Sequence, residues 1–145
     1  MARAVPRTML AKAAPQFPVI ASMPHLLVIE DDDQLRSMLR LTLEEMGHTV
    51  AVARDGNQGL AEQARHPADL VLTDLIMPEK DGVETIMALR KENPGGKIIA
   101  MSGGGRNTAA SYLQIAQMLG ARRILTKPFT LEELDAAIRR TLAGE

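Results

Sequence analysis

The chain has 145 residues, 46% of them hydrophobic and 24% charged, with a net charge of −1. That is enough for one ordinary domain with a real core, and it excludes disordered and fibrous classes. With no cysteine, disulfides and thiolate metal sites are excluded too, which fits a reducing cytoplasm.

The charge is unevenly placed. Residues 1–24 contain Arg3, Arg7 and Lys12 and no acid, so the remainder carries 14 basic and 18 acidic side chains. Such a body has no electrostatic footprint for nucleic acid, and none is expected as a partner. Residues 1–23 are expected to be a disordered basic extension, with a start at Met23 as the competing explanation. The apolar piece "FPVIASM" is too short and too proline-flanked for a secretory segment. No run approaches the roughly 20 apolar residues of a spanning helix, so no membrane insertion is expected.

The first predicted strand, "HLLVI" (25–29), runs into Glu30, Asp31, Asp32 and Asp33. Leu35, Met38, Leu39, Thr42, Leu43 and Met46 then follow the spacing of one helical face, and Gly47 closes that helix. A second strand, "HTVAVA" (48–53), leads to a helix over Gly56–Ala64 that stops before Pro67. The third strand, "DLVLT" (69–73), delivers Asp74. Asp81 and Glu84 have capping-box spacing and open a helix near Gly82. The fourth strand, "KIIAM" (97–101), leads to Ser102 and a helix from about Asn107 to Leu119, stopped by Gly120. The fifth, "RRILT" (122–126), leads to Lys127, and Thr130 with Glu133 opens the last helix near Leu131. Met38, Met46 and Met87 sit on the predicted apolar faces and are expected to fill the core.

Short apolar runs alternating with helical segments predict a five-stranded doubly wound parallel sheet flanked by five helices. In such a sheet, ligands bind beyond the carboxyl ends of the strands, which right-handed crossovers bring to one edge. Glu30, Asp31, Asp74, Ser102 and Lys127 should therefore converge. Clustered carboxylates repel unless a cation sits among them, and an all-oxygen set suits Mg²⁺. A carboxylate can also act as a nucleophile toward phosphorus, assisted by a metal, an amine and a hydroxyl donor. Asp32 and Asp33 lie where the first helix starts and are read as caps.

Glu30-Asp31, "TDLIMPEKDG" (73–82), "AMSG" (100–103) and "TKPF" (126–129) together resemble the motif set of receiver domains of two-component response regulators, over about Pro24–Leu142. The resemblance implies a flavodoxin-like, CheY-like fold for residues 24–145. It implies that Asp74 accepts a phosphoryl group from a histidine kinase or histidine phosphotransfer protein. Asp31 would ligate Mg²⁺ directly, Glu30 through water, and Asp74 with the main-chain carbonyl of Ile76 would complete the protein ligands. Ser102 and Lys127 would contact the phosphoryl oxygens, and the Lys127–Pro128 bond is cis in similar proteins. The chain would be a cytoplasmic phosphoprotein that catalyses only its own phosphorylation and dephosphorylation.

Departures from the family pattern also carry expectations. Receiver domains commonly place an aromatic switch residue three positions before the lysine, and here Ile124 stands there. The stretch from Ser102 to Lys127 looks about three residues longer than in compact members and includes Tyr112, so this segment is expected to transmit the signal. Ile76 and Gly104 stand where fast-hydrolysing relatives orient water, which implies slow self-dephosphorylation. With the chain ending just past the last helix, a stand-alone receiver is expected. It would signal to an unidentified downstream protein through the fourth helix, fifth strand and fifth helix, or serve as a phosphoryl relay or sink.

Two other classes remain as alternatives. A metal-dependent phosphohydrolase would usually place a general-acid Asp where Ile76 stands, and a phosphorylation-independent binding module would not need the intact acidic set. An EF-hand reading of "DDDQLR" fails because Arg36 occupies the required glycine position. Gly103–Gly105 lacks the Gly-Lys-Ser/Thr of a phosphate loop and is read as a loop. His25, His48 and His66 share no ligand spacing and are read as ordinary residues.

Overall fold

The computed structural model describes residues 23–75, 82–103, 114 and 117–145. The expectations for the N-terminal extension, the Ile76 carbonyl, the Asp81 cap, Gly104, Tyr112 and most of the fourth helix lie outside these residues. Of that helix, Gln114 and residues 117–119 are helical, and Gly120 follows with φ +105°.

Five strands form one parallel sheet: β1 (His25–Ile29), β2 (Thr49–Ala53), β3 (Leu70–Asp74), β4 (Ile98–Ser102) and β5 (Arg123–Thr126). Their order is β2-β1-β3-β4-β5. The described helices are α1 (Asp33–Glu45), α2 (Gly56–Arg65), α3 (Gly82–Glu92) and α4 (Leu131–Leu142). β3 and β4 are buried throughout and β1 nearly so, whereas the edge strands β2 and β5 are partly exposed. This explains why the central strands read as unbroken apolar runs: helices cover both of their faces.

The two faces divide the side chains by alternation along each strand. On one face Leu26, Val28, Leu70, Leu72, Ile99 and Met101 pack with Leu39 and Leu43 of α1 and Leu134 and Ile138 of α4. On the other, Leu27, Ile29, Val71, Ile98 and Ala100 pack with Ile86 and Leu89 of α3, while Leu60 of α2 lies against them. At about 25 cal/mol per Å² of buried apolar surface, these two layers dominate the stability of the fold.

Local chemistry sets the helix ends. Asp32 caps α1, its carboxylate accepting from the Leu35 amide at 2.9 Å, while Asp33 lies in the first turn and pairs with Arg36. Thr130 and Glu133 form the reciprocal capping box of α4, with bonds of 3.0 and 2.8 Å. Asp55 caps α2 through the Gln58 amide. Gly59 lets α2 lie against β1, since a Cβ there would come within 2.3 Å of the Ile29 side chain.

The expectation for the methionines needs correction. Met46 is partly buried against the core, but Met38 and Met87 are 52% and 55% exposed. Each adjoins a fully buried residue, Leu39 or Ile86. Consecutive helical residues point about 100° apart, so the narrow buried stripe leaves the neighbour at its rim. No helix among the described residues is long and apolar enough to cross a membrane.

Candidate functional site

Strand register assembles the site. Ile29 lies opposite Thr73, so Glu30, the first residue past β1, falls next to Asp74, the last residue of β3. Asp74 lies opposite Met101, and Ser102 opposite Thr126, so the hydroxyl and Lys127 follow at the same edge. The Lys127 amide donates to the Ser102 carbonyl at 2.7 Å, extending the β4–β5 ladder by one step. The Lys127–Pro128 bond is cis, as the resemblance implied.

One carboxylate oxygen from each of Glu30, Asp31 and Asp74 lies within 4.8 Å of the other two. Glu30 and Asp74 are buried, and Asp31 is exposed at the rim. Lys127 bridges the two buried acids: its Nζ is 2.7 Å from Glu30 Oε1 and 3.3 Å from Asp74 Oδ2. Glu30 Oε2 accepts from the Asp32 amide at 3.1 Å, which ties the acid to the helix cap.

Burial pushes the Glu30 carboxyl above its ordinary range, although the bonds from Lys127 and the Asp32 amide pull the other way. For Lys127 burial acts downward, but the bond to Glu30 and the charge of Asp74 outweigh it, and its pKa is raised. The ammonium is therefore firmly charged at neutral pH. One such cation against three carboxylates leaves the cluster about two charges negative, the deficit a divalent cation would fill. The donors are oxygens only, with no imidazole or thiolate in the group, so the set fits Mg²⁺.

The structure thus brings Glu30, Asp31, Asp74 and Lys127 together, with Ser102 beside them by register. The Ser102 hydroxyl donates to the Gly103 carbonyl at 3.1 Å, so meeting a phosphoryl oxygen would require it to turn. The predicted Ile76 carbonyl lies outside the described residues. Ile124, the residue in the aromatic-switch position, is half-buried against the second core layer.

Three further residues shape the site and were not singled out for it from sequence. The Thr73 hydroxyl donates to the Asp74 carbonyl at 3.1 Å. At Gly82, a Cβ would fall 2.3 Å from that same carbonyl oxygen and 2.4 Å from Leu75 Cα. Arg36 reaches back from α1 to the Glu30 carbonyl at 2.9 Å. Its ion pair with Asp33 follows i, i+3 spacing and was legible, but its reach to Glu30 depends on the turn between strand and helix.

A family model described as "Response regulator receiver domain" matches residues 26–139, a span that contains every predicted site residue. The chain belongs to the response regulator receiver domain family. The receiver is 38% identical over 120 residues to the transcriptional regulatory protein CpxR of Escherichia coli (strain K12), covering 83% of this chain and 50% of CpxR. It is 36% identical over 124 residues to a probable chemotaxis protein CheY of Rhizobium etli, covering 82% of this chain and 92% of that protein. Among solved structures, a response regulator receiver domain protein from Clostridium thermocellum superposes with a TM-score of 0.78 at 27% identity. It covers 83% of this chain and 95% of that one. The receiver therefore spans about half the length of transcriptional regulators such as CpxR and most of the CheY protein.

Proposed function

We propose that Asp74 accepts a phosphoryl group from a phosphohistidine on a histidine kinase or histidine phosphotransfer protein, in a Mg²⁺-dependent reaction. The observation that carries this reading is the meeting of three carboxylates and one ammonium at a single sheet edge.

An Asp74 carboxylate oxygen would attack phosphorus in line with the P–N bond of the donor. The new P–O bond forms as the P–N bond breaks, and its electron pair returns to the imidazole nitrogen. Lys127 is already charged and within 3.3 Å of Asp74, so it can leave Glu30 in part and take up charge on the transferring oxygens. Such preset charge needs little reorganisation during the reaction. The Ser102 hydroxyl would donate to another of those oxygens. Glu30, Asp31 and Asp74, with the Ile76 carbonyl that the family pattern implies, would hold Mg²⁺. When bound, that ion would neutralise the acids and the phosphoryl charge. The chain would catalyse only its own phosphorylation and dephosphorylation. It would then signal through contact with another protein, as its likeness to a chemotaxis protein supports.

Incubation of the purified chain with acetyl phosphate and Mg²⁺ tests the proposal by intact mass and peptide mapping. One phosphoryl group on Asp74 is expected, lost in Asp74→Asn and in chelator. Continuous release of phosphate with no acyl-phosphate on the protein would instead favour a phosphohydrolase, and no reaction at all would favour a pure binding module.

A further inference from the structure

Of the three acids, Asp31 has the least support. Glu30 is held on both carboxylate oxygens, by Lys127 and the Asp32 amide, and Asp74 is buried against Lys127. The Asp31 side chain is exposed and accepts no hydrogen bond among the described residues. Its place near the other two therefore depends on its backbone, and that backbone is held by Arg36.

Arg36 projects from the first turns of α1, with its side chain only 18% exposed. Nη1 donates to the Glu30 carbonyl at 2.9 Å and lies 3.4 Å from the Asp31 carbonyl, while Nη2 pairs with the Asp33 carboxylate. A guanidinium is a rigid plane with donors in fixed directions, so these contacts orient two successive peptide planes at once. Rotating either plane would swing the Asp31 carboxylate away from Glu30 and Asp74.

We infer that Arg36 is a positioning residue: its planar fork locks the turn between β1 and α1 so that Asp31 faces Asp74. This rests on the proposed acceptor function, because it names what holds that site's exposed acid in place. A rival account treats Arg36 as a simple counter-charge. The two differ in sign, since a bare positive charge beside the cluster repels a divalent cation, and removing it would tighten binding.

The test titrates Mg²⁺ alone into the full chain by calorimetry, comparing wild type with Arg36→Met and Arg36→Lys. Urea unfolding in chelator is measured alongside. Loss of a partner that orients a ligand commonly weakens metal affinity ten- to a hundredfold. Arg36→Met is accordingly expected to bind Mg²⁺ at least about tenfold more weakly, and Arg36→Lys to recover little, since an ammonium keeps the charge without the fork. With acetyl phosphate, both variants should label slowly at low Mg²⁺ and approach the wild-type rate at saturating Mg²⁺. Equal or tighter binding by Arg36→Met overturns the inference, as does wild-type affinity in Arg36→Lys, which alone decides the matter should Arg36→Met not fold. A lower urea midpoint with unchanged affinity also overturns it. A wild type that neither binds Mg²⁺ nor gains a phosphoryl group overturns the acceptor function and the positioning role together. If wild type does both and Arg36→Met matches it, only the positioning role fails.

Discussion

At Lys127 one ammonium serves two buried acids. Its Nζ is closer to Glu30 than to Asp74, 2.7 against 3.3 Å. Single residues at the other end of the sheet carry a different electrostatic consequence. The His25 ring stacks on His66 with centroids 4.0 Å apart, and its Nδ1 lies 2.8 Å from Thr49 Oγ1, while Nε2 is buried with no hydrogen-bond partner among the described residues. Burial first, and the charge of His66 second, lower the His25 pKa from 6.5, against the upward pulls of Asp69 and Glu62. Burial lowers that of His48 as well, although Asp135 pulls it upward. For a depressed histidine the unfolded chain binds more protons between the folded pKa and 6.5, so stability rises with pH through that window. Acidification below 6.5 should therefore destabilise the protein, by at most about 1.4 kcal/mol per pH unit for each histidine. Urea midpoints measured against pH should show this fall, reduced in His48→Gln. An identical pH profile in that variant would remove His48 from the account.

Elements meet at the site through closely spaced backbone. The start of α3 lies against the end of β3, with the Gly82 amide donating to the Leu75 carbonyl at 2.9 Å. The predicted Cβ contacts at Gly82 are all with main-chain atoms of Asp74 and Leu75, which cannot rotate aside as a side chain can. Gly82→Ala should thus push α3 from β3, at a cost of about 1 to 3 kcal/mol by the overpacking range. It should also slow the proposed labelling of Asp74, because the shift reaches the Asp74 peptide itself. Urea unfolding together with the acetyl phosphate rate checks this, and an alanine variant as stable and as fast as wild type would show that the helix can yield. The caps argue the same point in reverse. Asp32 and Thr130 satisfy amides at the starts of α1 and α4 with their own side chains.

In the whole molecule, β4 joins the acidic sheet edge to the segment that follows Ser102. Ser102 ends that strand, and its hydroxyl contacts Gly103, the first residue of the stretch leading to Gln114 and residues 117–119. The residue in the aromatic-switch position is Ile124, half-buried against the core layer, and an aliphatic side chain cannot perform a ring rotation. Recruiting the Ser102 hydroxyl to a phosphoryl oxygen would break its bond to Gly103. The segment 103–119 is therefore expected to change its amide exchange protection when a phosphate mimic and Mg²⁺ are bound. Hydrogen exchange by mass spectrometry reads this directly, and unchanged protection across 103–119 would mean the signal leaves by another surface.

Much of this was legible in the order of residues, because periodicity and end signals are local. Unbroken apolar runs announced strands covered on both sides, and Thr130 with Glu133 announced a helix start. The acids, the hydroxyl and the lysine were recognisable by their places at strand ends. The Asp55 cap lay equally within local reach and was passed over. What no local pattern contained was distance. That Lys127 meets Glu30 across 97 positions of chain, that Gly82 must lack a side chain to clear Asp74, and that Met38 stands outside the buried stripe all depend on how helices seat on the sheet. Sequence alone determined which chemical groups this protein owns and on which elements they ride. Tertiary structure decided which of them touch, because burial and register bring together charges that would otherwise stay apart in water.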